Sequence, residues 1–251
     1  MASSTHQPAL LLRLQPVGEA DLIVSLVTAD AGRVDAIARG ARSSRKRFGG
    51  VLRPFCTLAA QVDSPRRGTL PVLVAADLLQ DLGGDGLSYP QLCLASYLAE
   101  LALQVSQPDH ADGPLFRWIV ERLPWCRQLS DSDLSAAKLA IEASWLRAGG
   151  VLPDLLHCCR CGALLDAGGS WPADSDGLGC PSCLHAPRDW VPAATLAALV
   201  QSIHHSDLAT ALQLPLAARS TLDDRLRRMV AQTAPGQLRA ERALRDYIRL
   251  G

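Results

Sequence analysis

The chain reads as an α+β multidomain protein, a short N-terminal β-barrel followed by a mainly helical domain into which a four-cysteine module is set. Three observations carry that reading. Short apolar or alternating runs, separated by turn signals, fill the first 80 residues. A glycine-rich break follows, Asp81-Leu-Gly-Gly-Asp-Gly-Leu-Ser, and beyond it apolar residues recur at helical spacing. Two Cys-x-x-Cys turns, Cys158 to Cys161 and Cys180 to Cys183, then stand 18 residues apart.

The candidate strands are Ala9–Leu14, Asp21–Val27, Arg33–Arg39, Phe55–Val62 and Thr69–Ala76. Asp30-Ala31-Gly32 suits a tight hairpin and Ser64 to Gly68 a longer one. In the third run Val34, Ala36 and Ala38 alternate with Arg33, Asp35 and Arg39, so one face points inward and the other is charged. Five such strands, with a long link between the third and fourth, predict a small, partly open barrel of the oligonucleotide-binding (OB) kind. Periodicity alone leaves an SH3-like barrel open. The domains follow as 1–80 for the barrel and 81–251 for the helical part, with the cysteine module at about 154–190.

Helices are predicted over Gln91–Val105, with Leu94, Leu98, Leu101 and Val105 on one stripe, and over Pro114–Leu123. A third, Ser132–Ala148, carries Leu134, Ile141, Trp145 and Ala148 and stops at Gly149-Gly150. Helices resume near Pro192 and end with Arg219–Ala231 and Gln237–Leu250, split by Pro235-Gly236.

Zinc takes four soft ligands in a tetrahedron, and each Cys-x-x-Cys turn offers it two thiolates. Cys158, Cys161, Cys180 and Cys183 are therefore the expected ligands of one structural zinc ion, in a shell with no open position. Two unrelated cysteine pairs, or a redox Cys-x-x-Cys, are the alternatives. The linking stretch Gly162 to Gly179 is rich in Gly, Pro and Asp, which suits a ribbon better than a helix. His157 and His185 flank the turns as spare ligands, while Cys56, Cys93 and Cys126 sit in apolar contexts and read as core residues.

The formal net charge is zero, but its distribution is uneven. Residues 1–77 carry +4, residues 216–251 another +4, and the middle −8. With only two lysines, Lys46 and Lys138, the positive charge is almost wholly arginine, which suits bidentate phosphate recognition. The N-terminus lacks a basic signal region, and no stretch approaches the ~20 apolar residues of a membrane span. A reducing, cytoplasmic compartment without membrane contact is the expectation, which favours metal binding over disulfides.

From Arg33 to Arg67 nine basic residues face two acids. Serines and glycines interleave the charges, so backbone N–H groups can approach phosphates. A solvated surface loop is the plain alternative. The candidate nucleic-acid contacts are Arg33, Arg39, Arg42, Arg45, Lys46, Arg47 and Arg53, with Phe48 the one stacking residue and Phe55 assigned to the core. Binding is expected to be dominated by phosphate charge. Arg225 and Arg228, and then Arg239, Arg242, Arg245 and Arg249, recur at helical spacing near the end, either as a binding face or as an ordinary charged face. No Walker A loop, H-E-x-x-H or G-x-S-x-G occurs, and Asp223-Asp224 point to different helix faces, so no enzyme is expected.

Taken together, Gly18-Glu19-Ala-Asp21-Leu-Ile-Val, Ala38-Arg39-Gly40-Ala41-Arg42 with Ser44-Arg45, Leu52-Arg53-Pro54-Phe55, Tyr97-Leu-Ala-Glu100-Leu and Gly149-Gly150-Val-Leu-Pro153 running into Cys158-Cys-Arg-Cys161-Gly162 make the chain resemble the RecO family of bacterial recombination mediators. The resemblance implies an N-terminal OB domain, a helical domain carrying a zinc ribbon, and no catalysis. It implies binding of single- and double-stranded DNA, annealing of complementary strands, and work with RecR to load RecA onto DNA coated by single-strand-binding protein (SSB). It also implies docking of the acidic C-terminal tail of SSB, for which Arg219–Leu250 is the candidate surface, and a place at the nucleoid. The alternative class is a zinc-ribbon protein that binds RNA or a polymerase.

Overall fold

The computed structural model describes residues 6–44, 47–63, 69–83, 86–172, 175–184, 189–205, 207–234 and 236–250. Five strands form on the expected runs, β1 longer at both ends and β5 shifted toward the C-terminus: β1 (His6–Val17), β2 (Asp21–Thr28), β3 (Gly32–Ala38), β4 (Cys56–Asp63) and β5 (Val72–Asp81). They close into a barrel in the order β1-β2-β3-β5-β4. Ala9, Leu10 and Leu11 of β1 pair with β2 on one side and β4 on the other, and a bulge between Leu11 and Arg13 carries the rest of the strand along β2. The last seam is thin. β3 meets β5 in parallel at Ile37 and Val72, supported by Ile37 N–H donating to the Pro71 carbonyl at 2.8 Å. This is OB-like connectivity, not SH3-like. The barrel is closed where a partly open one was expected, because β1 is 12 residues long and pairs along both of its edges.

Alternation fills the interior. Ala9, Leu11, Val24, Leu26, Ala36, Ala38, Leu58, Ala60, Leu73 and Ala76 point inward, and the many alanines keep the bore narrow. The β3–β4 link adds Phe48 to this core, with Ala41, Val51 and Leu52 packed against it. Phe48 is only 2% exposed, so the residue expected to stack on bases belongs to the hydrophobic interior instead. Phe55 is core as expected, at a left-handed φ of 68°, where its N–H donates to the Leu11 carbonyl at 2.7 Å and its carbonyl accepts from Leu82 N–H.

Among the described residues, seven α-helices precede or follow the cysteine module: α1 (Tyr89–Val105), α2 (Gly113–Arg122), α3 (Leu134–Ala148), α4 (Ala193–His205), α5 (Leu208–Leu212), α6 (Leu216–Thr233) and α7 (Arg239–Leu250). Contacts divide the chain into two compact units, 1–128 with 238–249, and 129–237 with 250–251. In the first unit α1 packs on β1, and α2 on β2. The α1–α2 link seals one end of the barrel, where Gly32 pairs with Pro108 and Arg33 N–H donates to the Gln107 carbonyl at 3.0 Å. Gly32 has φ +64°, and a Cβ there would collide with the carbonyl oxygens of His110 and Gln107. The final helix returns to this unit, where Ala240 N–H donates to Glu100 of α1 at 3.0 Å and Leu244 is fully buried.

In the second unit α3 is the centre, packed on α4, α5 and α6. Its predicted stripe broadens to bury almost every residue from Leu134 to Leu146, with Ala148 outside. Val105 of α1 likewise falls off its stripe, at 40% exposure. Among the described residues no helix is long and apolar enough to cross a membrane.

Candidate nucleic-acid interface and metal centre

The β3–β4 link turns its apolar side chains into the barrel, and this leaves Arg39, Arg42 and Arg47 exposed on its outer side. The β1–β2 turn braces it. Arg42 N–H donates to the Ala20 carbonyl at 3.1 Å, the Arg42 guanidinium to the Glu19 carbonyl at 2.8 Å, and Gly40 N–H to the Asp21 carboxylate at 2.7 Å. Arg47 donates to the Arg39 carbonyl and lies 5.4 Å from the Phe48 ring centroid. The Arg42 and Arg47 guanidiniums thus meet carbonyls and a ring face, which orient their charges without neutralising them. Among the described residues none of the three forms an ion pair. The start of β5 lies against Ile37, two residues from Arg39.

The other predicted contacts sit differently. Arg33 lies at the opposite end of β3, six residues or about 20 Å along the strand from Arg39, and pairs with Asp35 at 2.7 Å. Arg53 is half-exposed and pairs with Asp81 at 3.5 Å, an acid it shares with Arg127. Arg45 and Lys46 lie outside the described residues, as do Arg66, Arg67 and His185.

The cysteine module is a ribbon. Cys158 N–H donates to the Ala163 carbonyl at 2.8 Å and Gly162 N–H to the Cys158 carbonyl at 2.9 Å, closing the first turn. Cys183 and Leu184 N–H groups donate to the Cys180 carbonyl and close the second. The Ser170–Gly179 bridge, the Cys159 N–H to Leu178 carbonyl bond and the short ladder of β6 (Gly168–Gly169) with β7 (Val191–Pro192) bring the two turns together. All four sulfurs lie within 4.8 Å of one another, with Cys161 and Cys180 at 3.8 Å. Sulfurs around a tetrahedral ion, at a zinc–sulfur distance of about 2.3 Å, stand roughly 3.8 Å apart, so this cluster can hold one.

The electrostatics agree with that fit. Burial disfavours the Cys158 thiolate, but N–H groups of Cys161, Cys180 and Arg160 aimed at its sulfur outweigh burial and hold its pKa at about 6. Cys183, hydrogen-bonded to Cys161 and Cys180, is pushed up to about 12. Among the described residues this is the only group of metal-ligating side chains close enough to share an ion. His157 is turned away, its Nδ1 2.8 Å from Asp154. Cys56, Cys93 and Cys126 are buried, and burial lifts Cys126 to about 12.

Two arginines of α6 are structural. Arg219 donates to the Leu214 and Ser132 carbonyls and to Ser135 Oγ. Arg225 faces inward onto the ribbon, donating to the Ser175 carbonyl at 2.7 Å and Asp176 at 3.0 Å, so its place on an outer arginine face is corrected. Arg228, with Arg239, Arg242 and Arg249 of α7, is exposed. Sequence reasoning missed the buried cluster in which Lys138 bonds Glu142 at 2.7 Å and Asp223 at 2.6 Å. The i,i+4 spacing of Lys138 and Glu142 was a usable signal; Asp223, on another helix, gave none.

An OB-like barrel with an exposed arginine loop and a helical part bearing a four-cysteine ribbon define a modular α+β protein. Comparison with known proteins narrows this. The model described as recombination protein O N terminal matches residues 1–81, and that described as recombination protein O C terminal matches 87–242. The chain is similar to the DNA repair protein RecO of Anaeromyxobacter sp. (strain K), with 36% identity over 211 residues, 83% of this chain and 82% of that protein. It is also similar to that of Synechococcus sp. (strain JA-3-3Ab), with 30% identity over 252 residues, 94% of this chain and 80% of that protein. The chain belongs to the RecO family of DNA repair proteins.

Proposed function

We propose that this chain is a non-catalytic mediator that binds single- and double-stranded DNA and anneals complementary strands at the bacterial nucleoid. With RecR it helps load RecA onto SSB-coated single strands. The observation that carries the reading is the braced loop in which Arg39, Arg42 and Arg47 stand exposed and uncompensated at one end of the barrel. Arg45 and Lys46 complete the main contact, with Arg33 and Arg53 at its margins. Such a surface neutralises phosphates of two strands without reading bases, which is what passive annealing requires. Burial of Phe48 supports this further, since it leaves the loop no aromatic platform.

The ion is read as one structural zinc per chain, held by Cys158, Cys161, Cys180 and Cys183; bound there, it supplies folding energy to the ribbon. Within Arg219–Leu250, the exposed arginines lie mostly on α7, which makes that helix the favoured receiver of the acidic SSB tail.

The deciding experiment is annealing of SSB-coated complementary strands. Annealing without ATP is expected, slowed by excess free SSB tail peptide while naked strands anneal unhindered. Equal inhibition of both reactions means the peptide only competes for the DNA surface, and no annealing at low salt ends the mediator reading.

A further inference from the structure

The ribbon is not a free appendage of the helical unit. Arg225 projects from α6 with its side chain 18% exposed and its Nη2 shared between the Ser175 carbonyl and the Asp176 carboxylate. Its guanidinium carbon lies 5.9 Å from the Trp171 ring centroid, and the Trp171 indole N–H donates to the Asp176 carbonyl at 3.0 Å. One side chain thus holds Trp171 and the Ser175–Asp176 segment, both between the two cysteine pairs.

From that segment the contacts run through Cys159, which is not one of the four clustered cysteines, to the backbone beside the second pair. Ser175 Oγ donates to Cys159 Sγ at 3.3 Å and accepts from Gly177 N–H at 3.1 Å. Cys159 N–H donates to the Leu178 carbonyl, Gly179 pairs with Ser170, and Cys180 N–H reaches Cys158 Sγ at 3.4 Å. There is no slack at Gly177, where a Cβ would stand 2.6 Å from that of Cys159. On the other side of the clasp, Asp223 of α6 binds the buried Lys138 of α3. The ribbon is therefore locked to a helix that is itself locked to the centre of the unit.

We infer that Arg225 is the positioning residue of the metal centre. By holding the Ser175–Asp176 turn, it sets the approach of Cys180 and Cys183 to Cys158 and Cys161, and it couples metal occupancy to the order of α6. The inference rests on the reading of the four cysteines as a metal site. Coupling of this kind is reciprocal: if the clasp strengthens metal binding, the metal must also strengthen the clasp and with it α6.

The test uses full-length protein. Wild type is expected to copurify with one metal ion and to lose it slowly to a chelator. Arg225→Ala should release it faster, by up to roughly tenfold, the lower end of what a direct outer partner of a ligand gives, because Arg225 reaches the ligands only through the Ser175–Asp176 segment. Arg225→Lys, which keeps the charge but not the fork, should recover only part of that loss. Arg228→Ala, on the exposed face of the same helix, should behave as wild type. Amide exchange is the readout that general destabilisation does not imitate. Metal should protect residues 222–230 in wild type and leave them unchanged in Arg225→Ala, while the cobalt-substituted visible bands broaden in the variant. Wild type without metal would overturn both the metal reading and the clasp. Metal-loaded wild type, with an Arg225→Ala variant of equal release rate and equal protection, would overturn the clasp alone.

Discussion

The β3–β4 loop and helix α6 are both rich in arginine, and they use it in opposite ways. In the loop, the Arg42 and Arg47 guanidiniums meet backbone carbonyls and a ring face and Arg39 is exposed, so their charge stays available to solvent. In α6, Arg219 and Arg225 are consumed by partners within the unit, and Arg227 pairs with Asp224. The loop stands on a barrel that owes its shape to an apolar core, while α6 clamps a ribbon too small to have one. An arginine count therefore does not locate a polyanion surface; what the guanidinium already touches does. The same contrast predicts which perturbations separate the two regions.

The largest effect should come from the metal. Zinc ligation can supply on the order of 10 kcal/mol to local folding, so chelation or Cys158→Ser should open the ribbon to proteolysis and exchange while barrel amides stay protected. Cys159→Ser should retain the ion, because Cys159 lies outside the four-sulfur cluster. Loss of barrel protection together with the ribbon would break the comparison.

Next are the buried groups on each side. Lys138→Met leaves Glu142 charged and buried without its cation and should cost about 3–5 kcal/mol, largely restored by adding Glu142→Leu. Desolvation opposes the Lys138 charge, but Glu142 and Asp223 outweigh it and raise the pKa above its ordinary 10.5. A raised folded-state pKa means that the contribution is complete below about 10.5 and is lost only as pH climbs above it. Denaturant midpoints of the second unit should show no Lys138 signature between pH 6 and 9. Phe48→Ala should cost the barrel about 3–5 kcal/mol. Phe48→Leu should keep most of the stability and all of the DNA affinity; weakened binding by a folded Phe48→Leu protein would restore the stacking role.

How much of this was legible follows from the range of each interaction. The five strands were, because period-two alternation such as Val34, Ala36 and Ala38 is local. The clustering of the four cysteines was too, since each Cys-x-x-Cys closes its own turn. Phe48 was misplaced because nothing in Arg-Phe-Gly-Gly says that the link folds back over the barrel mouth. Arg225 was misplaced because its partners stand about fifty residues away, in a stretch chosen for its turns. The return of α7 to Glu100 spans 140 residues and left no trace in either segment alone.

A smaller effect is expected from the loop arginines. Each single-strand phosphate contact contributes about 0.7 to the slope of log K against log salt. Arg39→Ala, Arg42→Ala and Arg47→Ala combined should flatten that slope by about 2, for all DNA sequences alike. An unchanged slope would move the contact to the exposed arginines of α7.

The smallest effects should come from Arg33 and Arg53, and they define where the binding surface ends. Both belong to the same basic run as the loop, but each already has an acid, Asp35 at 2.7 Å and Asp81 at 3.5 Å. Partly exposed pairs of this kind contribute about 0–1 kcal/mol, so Arg33→Ala and Arg53→Ala should each change barrel stability by no more than that. A phosphate competing for either guanidinium must displace a carboxylate, which removes most of the gain, so the salt slope should stay within error of wild type. Asp35→Asn offers the sharper version, because it frees Arg33 without removing it. If Arg33 borders the DNA path, Asp35→Asn should tighten binding and steepen the slope by about 0.7. If the path ends at the loop, about 20 Å up the strand, the variant should bind as wild type does, and Arg33 would belong to the barrel alone.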